Sequence, residues 1–289
     1  MTVFLTVIVV LGWIFGRSQG FGYSGIIIAV IIAIVLNLIS YFKGDKIALS
    51  LAKAKPIKKE ANPYVYRMVE NLCIASGLPM PRVYLIVDKN INAFACGRNP
   101  ETASVAITTG AIEKLQNEEL EGVIAHELSH IKNYDIRVMT IVIICVGIIT
   151  LMADFFLRAN FLFGRKSRDN NNTGVIFMIV GLILALLSPL FAALIQLSIS
   201  RKREYLADAS SALLTRYPEG LAKALEKIAN SNTPEKQTNK AIAHLYIANP
   251  FSAKGGPASG WEGAGKKITS LFSTHPPIED RIKKLRQMA

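Results

Sequence analysis

The chain has 289 residues, of which 51% are hydrophobic and 19% are charged, a composition that argues against an ordinary soluble enzyme. Its formal net charge is +12, and many basic residues lie beside apolar runs, where they can meet anionic lipid headgroups. No basic stripe interleaved with aromatic residues accompanies them, so the charge does not predict a nucleic-acid partner.

Four apolar runs, nearly free of ionisable groups, carry much of the hydrophobic surplus: residues 3–15, 25–42, 138–157 and 174–199. A helix needs about 20 residues to cross a hydrocarbon layer of about 30 Å, and the last three runs are long enough. The first is shorter, but no basic region leads it as in a signal sequence, so we expect it to span as well. The runs predict two membrane hairpins.

The distribution of basic residues predicts which side of the membrane the remaining segments face. Lysines between residues 43 and 59 follow the second run, and residues 201–203 are all basic and follow the fourth. Both clusters favour the cytoplasmic side. The basic residues within 158–168 oppose this orientation, because that loop would face outward. A second hairpin that enters the bilayer without fully crossing it is the alternative.

Between the hairpins, the spacing of apolar residues predicts a helix over residues 62–78. Its apolar positions lie on or near one face: Val65, Met68, Val69, Leu72 and Ile74. Three short β-type stretches follow, at residues 83–87, 93–96 and 104–108, separated by turn residues. We interpret these stretches as a small antiparallel sheet.

The next predicted helix begins near Asn117, which has the character of an N-cap and is followed by acidic residues in the first turn. This helix carries His126, Glu127 and His130 in an HExxH arrangement. Residues four apart share a helix face, so the two imidazoles can hold one metal ion while Glu127 reaches a metal-bound water. Polar residues at 132–137 separate the motif from the third apolar run, which places the site outside the bilayer.

A catalytic zinc ion usually takes three protein ligands, and Glu204 is the best candidate for the third. Two opposed spans between His130 and Glu204 would return the chain to the same membrane surface. Asp208 lies one helical turn beyond Glu204, where its carboxylate can hold a ligand imidazole in the required tautomer. The alternative is that both acids form a solvated face paired with Arg201 or Arg203.

The C-terminal part of the chain continues with helical patterns. Residues 203–230 are expected to be helical, residues 250–265 are glycine-rich and are expected to lack regular structure, and a final helix is expected after Pro277. No internal repeat is found.

Several motifs occur in a fixed order along nearly the whole chain. They are Gly44-Asp45-Lys46, Asn92-Ala93-Phe94-Ala95, HELSHIKNYD at 126–135, REYLAD at 203–208 and THPPIEDRI at 274–282. Together they resemble the HtpX-like membrane zinc metallopeptidases, relatives of the type I CAAX prenyl proteases. The resemblance implies a cytoplasm-facing endopeptidase of membrane quality control, with one zinc ion per chain on His126, His130 and Glu204. Glu127 would be the general base that activates the zinc-bound water.

Two further functional segments are expected. The oxyanion of the tetrahedral intermediate needs a donor, for which His275 is the leading candidate and Arg281 the other. The alternative is that Arg281 pairs with a neighbouring acid, Glu279 or Asp280. Asn92, Ala93, Phe94 and Ala95 would form a sheet edge beside the cleft, where an extended substrate strand can add by main-chain hydrogen bonds. Alternatively, Phe94 is a core residue.

The predicted fold class is an α-helical integral membrane protein with an α+β zincin-like metallopeptidase domain, in which a small antiparallel sheet supports the active-site helix. The predicted segments are an N-terminal membrane hairpin (1–42), a basic linker (43–61), the first part of the peptidase domain (62–137), a second membrane hairpin (138–199) and a helical second part (200–289). The expected partners are the lipid bilayer and unfolded or membrane-protein substrates, at the inner or plasma membrane. A CAAX-type prenyl-protein peptidase and a non-catalytic zinc-binding membrane scaffold are the alternatives.

Overall fold

The computed structural model describes residues 24–141, 201–231 and 276–288, together with Val9, Trp13, Ile183 and Ile247. The chain divides into two compact units, Met1–Gly44 with Ile144–Leu194 and Asp45–Ile143 with Ile195–Ala289. Within the described ranges, no helix combines the length and the apolar composition needed to cross a membrane. The first, third and fourth apolar runs lie largely outside these ranges.

In the part of the chain that the structure describes, two helices and a short strand precede the three longer strands of the sheet. Helix α1 spans Ser24–Leu51, strand β1 spans Lys55–Pro56 and helix α2 spans Pro63–Ser76. The Asn62 side chain caps α2 by accepting from the Val65 amide at 3.1 Å, and Gly77 ends the helix in the left-handed conformation at φ 70°. The predicted helix at 62–78 is therefore confirmed.

The buried face of α2 differs from the prediction at one position. Val65, Met68, Val69 and Leu72 are buried as expected. Ile74 is 76% exposed, so its assignment to the apolar face was wrong. The adjacent Cys73 completes the buried stripe instead.

The sheet contains β1 and three longer strands, β2 (Arg82–Ile86), β3 (Ala93–Cys96) and β4 (Ser104–Thr108), in the order β1-β2-β4-β3. Strand β2 pairs with β1 antiparallel and with β4 parallel, and β3 pairs with β4 antiparallel. The prediction of a purely antiparallel sheet was therefore wrong. The loop after β2 places β3 two strand positions away, and residues 97–103 then return the chain so that β4 fills the gap between them. The Thr108 hydroxyl donates to the Asn90 carbonyl at 2.7 Å and fixes that loop.

Side chains alternate between two hydrophobic clusters on opposite faces of the sheet. On β3, Ala93 and Ala95 belong to the larger cluster, which is built mainly with helices. Phe94 and Cys96 belong to the smaller cluster, which includes residues from the end of α1 such as Leu49. The sheet is thus covered on both faces. The helix that carries the HExxH motif packs within the larger cluster.

The remaining α-helices of the described residues are α3 (Thr109–Lys114), α4 (Asn117–Lys132), α5 (Arg201–Thr215), α6 (Pro218–Ser231) and α7 (Ile278–Arg286). Gln116 is the N-cap residue of α4, so the assignment of Asn117 to that role was wrong by one position; the Glu119 carboxylate accepts from the Gln116 amide at 2.8 Å. The predicted single helix at 203–230 is two helices, because Arg216 has a φ of 53° between them. A helix after Pro277 is confirmed.

Helices α4 and α6 cross at very short range. A Cβ atom on Gly122 of α4 would lie 2.8 Å from the Leu221 amide nitrogen of α6, and one on Gly220 would lie 2.5 Å from the Glu118 carbonyl oxygen. Only glycine allows the two backbones to approach this closely. The crossing holds α4 firmly in the helical layer, which fixes the position of its HExxH motif.

Candidate metal centre

Three buried side chains from two helices converge at the centre of the second unit. His126 and His130 lie on α4 and Glu204 lies on α5, and their candidate ligand atoms all fall within 4.8 Å of one another. The two Nε2 atoms are 3.2 Å apart. Oε2 of Glu204 lies 3.8 Å from Nε2 of His126, and Oε1 lies 3.7 Å from Nε2 of His130. The structure therefore brings together the three residues that the sequence selected.

The helices determine this convergence. His126 and His130 are one turn apart on α4, as Glu204 and Asp208 are on α5, so each pair faces the same way. The two helices pack directly against each other, and the Ser211 hydroxyl of α5 donates to the Gly122 carbonyl of α4 at 2.8 Å. Their facing sides enclose the donor atoms.

Each imidazole directs its Nδ1 atom toward a buried carboxylate. Nδ1 of His126 lies 3.0 Å from Oδ1 of Asp208, and Nδ1 of His130 lies 3.1 Å from Oδ2 of Asp135. Because a carboxylate accepts a hydrogen bond, we assign the proton of each ring to Nδ1 and the lone pair to Nε2. The His130 contact has hydrogen-bond geometry, whereas the shorter His126 contact is an ion-pair distance whose direction is off that of a hydrogen bond. Two lone pairs and a carboxylate then face a common point, an arrangement that a cation stabilises.

The spacing of the donors fits a zinc ion. With bonds of about 2.0 to 2.1 Å in a tetrahedral site, ligand atoms lie roughly 3.4 Å apart. The two Nε2 atoms are 3.2 Å apart, and each lies 3.7 to 3.8 Å from a different oxygen of Glu204. With one donor atom per residue, all three fall within 4.8 Å, so small side-chain movements bring them to the spacing of a zinc site. Two imidazoles and one carboxylate are also the donor set of a common class of catalytic zinc sites, whereas magnesium and calcium prefer oxygen alone.

A buried ion pair, formed by Asp208 and Arg281, lies next to Nδ1 of His126. Nε and Nη2 of Arg281, on α7, donate to Oδ2 and Oδ1 of Asp208 at 2.9 and 2.7 Å, and Arg281 is fully buried. Burial by itself raises the pKa of Asp208, but Arg281 and His126 outweigh it and hold the pKa well below its usual range. The alternative pairing of Arg281 with Glu279 or Asp280 is therefore wrong, as is that of Asp208 with Arg201 or Arg203.

Burial also shifts the pKa of His126, one of the three candidate ligands. It lowers the pKa of His126 below its ordinary value, and the Arg281 guanidinium lowers it further, against the opposing effect of Asp208. His126 is therefore neutral near pH 7, which is the form that binds a metal.

Glu127 lies in the same buried region. It follows His126 on α4 and is 3% exposed. Burial lowers the pKa of Arg281, but Asp208, Glu204 and Glu127 outweigh burial and raise that pKa above its ordinary value. Glu127 is thus close enough to Arg281 to act on its charge. His275, the other candidate oxyanion donor, lies outside the described residues.

Sequence reasoning missed the role of Asp135 and included it only in the polar segment after the motif helix. Tyr134 adopts the left-handed conformation at φ 59°, which turns the chain so that Asp135 points back toward His130. A non-glycine residue in this conformation is uncommon, and nothing in the local sequence predicts it. Arg203, on α5, donates to the other oxygen of the same carboxylate.

Two hydrogen bonds of the Ile247 main chain link the predicted substrate edge to Arg281, beside the metal centre. Among the described strands, β3 lies at the edge of the sheet, and because Asn92 bonds toward β4, alternation turns the main-chain groups of Ala93 and Ala95 outward. The Ala93 carbonyl accepts from the Ile247 amide at 3.2 Å, and the Ile247 carbonyl accepts from Nη1 of Arg281 at 3.4 Å. Phe94 is fully buried, which agrees with the alternative that it is a core residue.

Comparison with known proteins adds independent information. The sequence model of peptidase family M48 matches residues 59–289. A protein named protease HtpX homolog from Dictyoglomus turgidum is 45% identical over 267 residues, which cover 92% of this chain and 83% of the relative. Another protein of that name, from Caldanaerobacter subterraneus subsp. tengcongensis, is 41% identical over 291 residues, covering 100% and 93%. Among solved structures, S. mikatae Ste24p is similar with a TM-score of 0.48 and 17% identity, covering 98% of this chain and 61% of that chain.

Proposed function

This chain belongs to peptidase family M48 and is a metalloprotease, and from that premise we propose that it is a zinc-dependent endopeptidase of the membrane whose metal is held by His126, His130 and Glu204. Membership confirms the resemblance drawn from the linked motifs. The observation that supports a zinc site is the buried convergence of two imidazoles and one carboxylate, the donor set of a common class of catalytic zinc sites.

The residues around this centre divide the chemistry of peptide hydrolysis among them. When bound, zinc supplies Lewis-acid polarisation of the scissile carbonyl and makes water more acidic. Glu127 takes a proton from the attacking water and delivers it to the leaving amine, as a general base and then a general acid. Asp208 keeps the Nδ1 proton on His126, so that Nε2 remains available to the metal.

Arg281 has two functions in this proposal. Its bidentate contact with Asp208 fixes the carboxylate that orients His126. Its Nη2 atom also lies 3.5 Å from Nε2 of His126, which supports the expectation that the guanidinium stabilises the oxyanion as negative charge develops. Because the side chain is fully buried, its charge acts in a region of low dielectric.

We propose that substrates add to the outer edge of β3 in an extended conformation. The main chain of Ala95 faces this edge, while the outward carbonyl of Ala93 already accepts from Ile247. Ile247 in turn contacts Arg281, which supports a position of the edge next to the metal centre. Recognition through main-chain hydrogen bonds depends on an extended backbone more than on side-chain identity, which favours unfolded or damaged proteins as substrates.

Exposed apolar side chains support the membrane assignment. In the first unit, Ile27, Ile28, Ile31 and Phe42 of α1 are between 54% and 59% exposed, which is unusual for a surface in contact with water. Lipid is the partner that this surface and the adjacent apolar runs favour. With the basic clusters, we propose a multi-pass protein of the inner or plasma membrane, its metal centre on the cytoplasmic side and membrane proteins among its substrates.

The test is cleavage of casein and of an unfolded membrane protein by the purified full-length chain loaded with zinc. Glu127→Gln keeps the size of the side chain but removes the base, so we expect activity to fall by at least about 10² to 10⁴-fold while bound zinc is retained. Glu118→Gln is the matched control, since Glu118 is an exposed glutamate on the same helix. Equal activity of Glu127→Gln and wild type would refute the proposal, as would an inactive zinc-loaded wild type.

A further inference from the structure

Each candidate ligand imidazole is the first member of a chain of three side chains. Behind His126 stand Asp208 and Arg281, and behind His130 stand Asp135 and Arg203. We propose that Asp135 and Arg203 are a positioning pair that fixes His130 and thereby sets the metal affinity of the centre. This inference rests on the metal site of the proposed function.

The contacts of Asp135 indicate a specific orienting role. Asp135 is only 4% exposed, although it lies just beyond the end of α4. One oxygen, Oδ2, lies 3.1 Å from Nδ1 of His130, and the other, Oδ1, accepts from Nη1 of Arg203. A carboxylate whose two oxygens have different partners is held at a defined angle. The imidazole that donates to it is then held as well, with Nε2 directed at the metal position.

Arg203 connects the two helices that supply the ligands. It immediately precedes Glu204 on α5, and its Nη1 atom also lies 3.5 Å from the Asn133 carbonyl at the end of α4. A cation at a helix C-terminus is favourable, because the last carbonyl groups carry partial negative charge. The Arg203 to Asp135 contact therefore joins the end of the helix carrying the imidazoles to the turn carrying the third ligand.

The two supporting ion pairs differ in exposure, which predicts a difference in effect. The Arg281 side chain is fully buried, whereas that of Arg203 is 52% exposed. Water can partly replace the exposed Arg203 as a partner of Asp135, whereas the loss of Asp135 leaves Nδ1 of the buried His130 facing the protein interior. We therefore expect the loss of Arg203 to weaken metal binding less than the loss of Asp135, through which it acts.

The experiment measures the zinc affinity of the purified full-length protein by competition with a chromophoric chelator. For Asp135→Asn we expect an affinity lower by about 10 to 100-fold, because the neutral amide orients the imidazole less strongly. Arg203→Ala should produce a smaller loss and Arg203→Lys a smaller loss still. Arg201→Ala is the control, since Arg201 is an exposed basic residue in the same turn of α5.

A double-mutant cycle makes the test specific to a positioning pair. If Arg203 acts through Asp135, the double variant Asp135→Asn/Arg203→Ala binds zinc no more weakly than Asp135→Asn alone. Excess zinc should also restore cleavage in Asp135→Asn, because the variant has lost affinity and not a catalytic group. Circular dichroism of each variant checks that the fold is retained. Because the Arg203 side chain is exposed, its replacement is expected to leave the fold intact.

Two results would overturn the inference. The first is a zinc affinity of Asp135→Asn within twofold of wild type, in a titration in which the control variant His130→Ala does lose zinc binding. The second is fully additive losses in the cycle. Both leave the proposed metal site intact. A wild type that binds no zinc in the same titration would instead refute the proposed function itself.

Discussion

Replacing Arg281 by methionine is expected to destabilise the peptidase unit far more than the same replacement of Arg286 on the same helix. The two arginines make similar contacts, since each reaches both oxygens of one carboxylate. Their environments differ. Arg281 and its partner Asp208 are buried, whereas the Arg286 side chain is 45% exposed and its partner Glu219 is 25% exposed. Arg286 also contacts Glu226 at 2.9 Å, so a smaller effect of its replacement cannot come from fewer ion pairs and reports the effect of exposure.

The expected magnitude follows from the charge that is left behind. Removing one partner of a buried pair leaves the other without compensation and typically costs about 3 to 5 kcal/mol. For a domain of this size that corresponds to a decrease in melting temperature of roughly 6 to 20 °C. Exposed pairs contribute little because water solvates both groups, so Arg286→Met should melt close to wild type.

Acid should reduce the difference between Arg281→Met and wild type. The pKa of Asp208 is depressed in the folded protein, so its stabilising contribution is present above its unfolded pKa of about 3.9 and is lost as the pH falls toward the folded value. Without Arg281 the carboxylate can protonate at higher pH, and the variant loses less than wild type on acidification. Thermal unfolding of the metal-free proteins at pH 7 and pH 4 measures both effects. Equal melting temperatures for the two methionine variants at pH 7 would refute this account of the buried pair.

Three further changes test other parts of the structure. Glu204→Ala should lose most of its bound zinc while Asp208→Ala loses only about 10 to 100-fold in affinity; stoichiometric zinc in Glu204→Ala, by mass spectrometry, would contradict the ligand assignment. Gly122→Ala should cost about 1 to 3 kcal/mol by denaturant unfolding, because its Cβ would meet the Leu221 amide at 2.8 Å; an unchanged midpoint would show that the crossing can relax. Ala95→Pro removes one outward amide from the sheet edge and should raise KM by about 3 to 10-fold with unchanged zinc affinity; an unchanged KM would exclude that amide from substrate binding.

The sequence predicted those features that depend on local spacing. Histidines four apart on a helix must share a face, so the relation of His126 to His130 could be read directly from the motif. The ranges of β3 and β4 were also predicted correctly, because these short β-type stretches end at clear turn signals. Glu204 required the further assumption that two opposed spans return the chain to its starting surface.

Features that depend on long-range geometry were not predicted. The parallel pairing of β2 with β4 depends on how a loop passes across the sheet, which the strand pattern does not encode. The contact of Asp135 with His130 depends on one left-handed residue, Tyr134, whose conformation no local pattern requires. Arg281 was placed among the functional residues, but its principal partner, Asp208, lies 73 positions away in the chain and could not be identified from spacing.

The central claim is that His126, His130 and Glu204 together hold a catalytic zinc ion. X-ray absorption at the zinc edge, recorded on the purified Glu127→Gln protein to prevent self-cleavage, tests it most directly. The account predicts one zinc ion per chain with two imidazole nitrogens and a carboxylate oxygen among its ligands, and loss of this signature in His126→Ala. A sulfur ligand, or a spectrum that His126→Ala leaves unchanged, would contradict it.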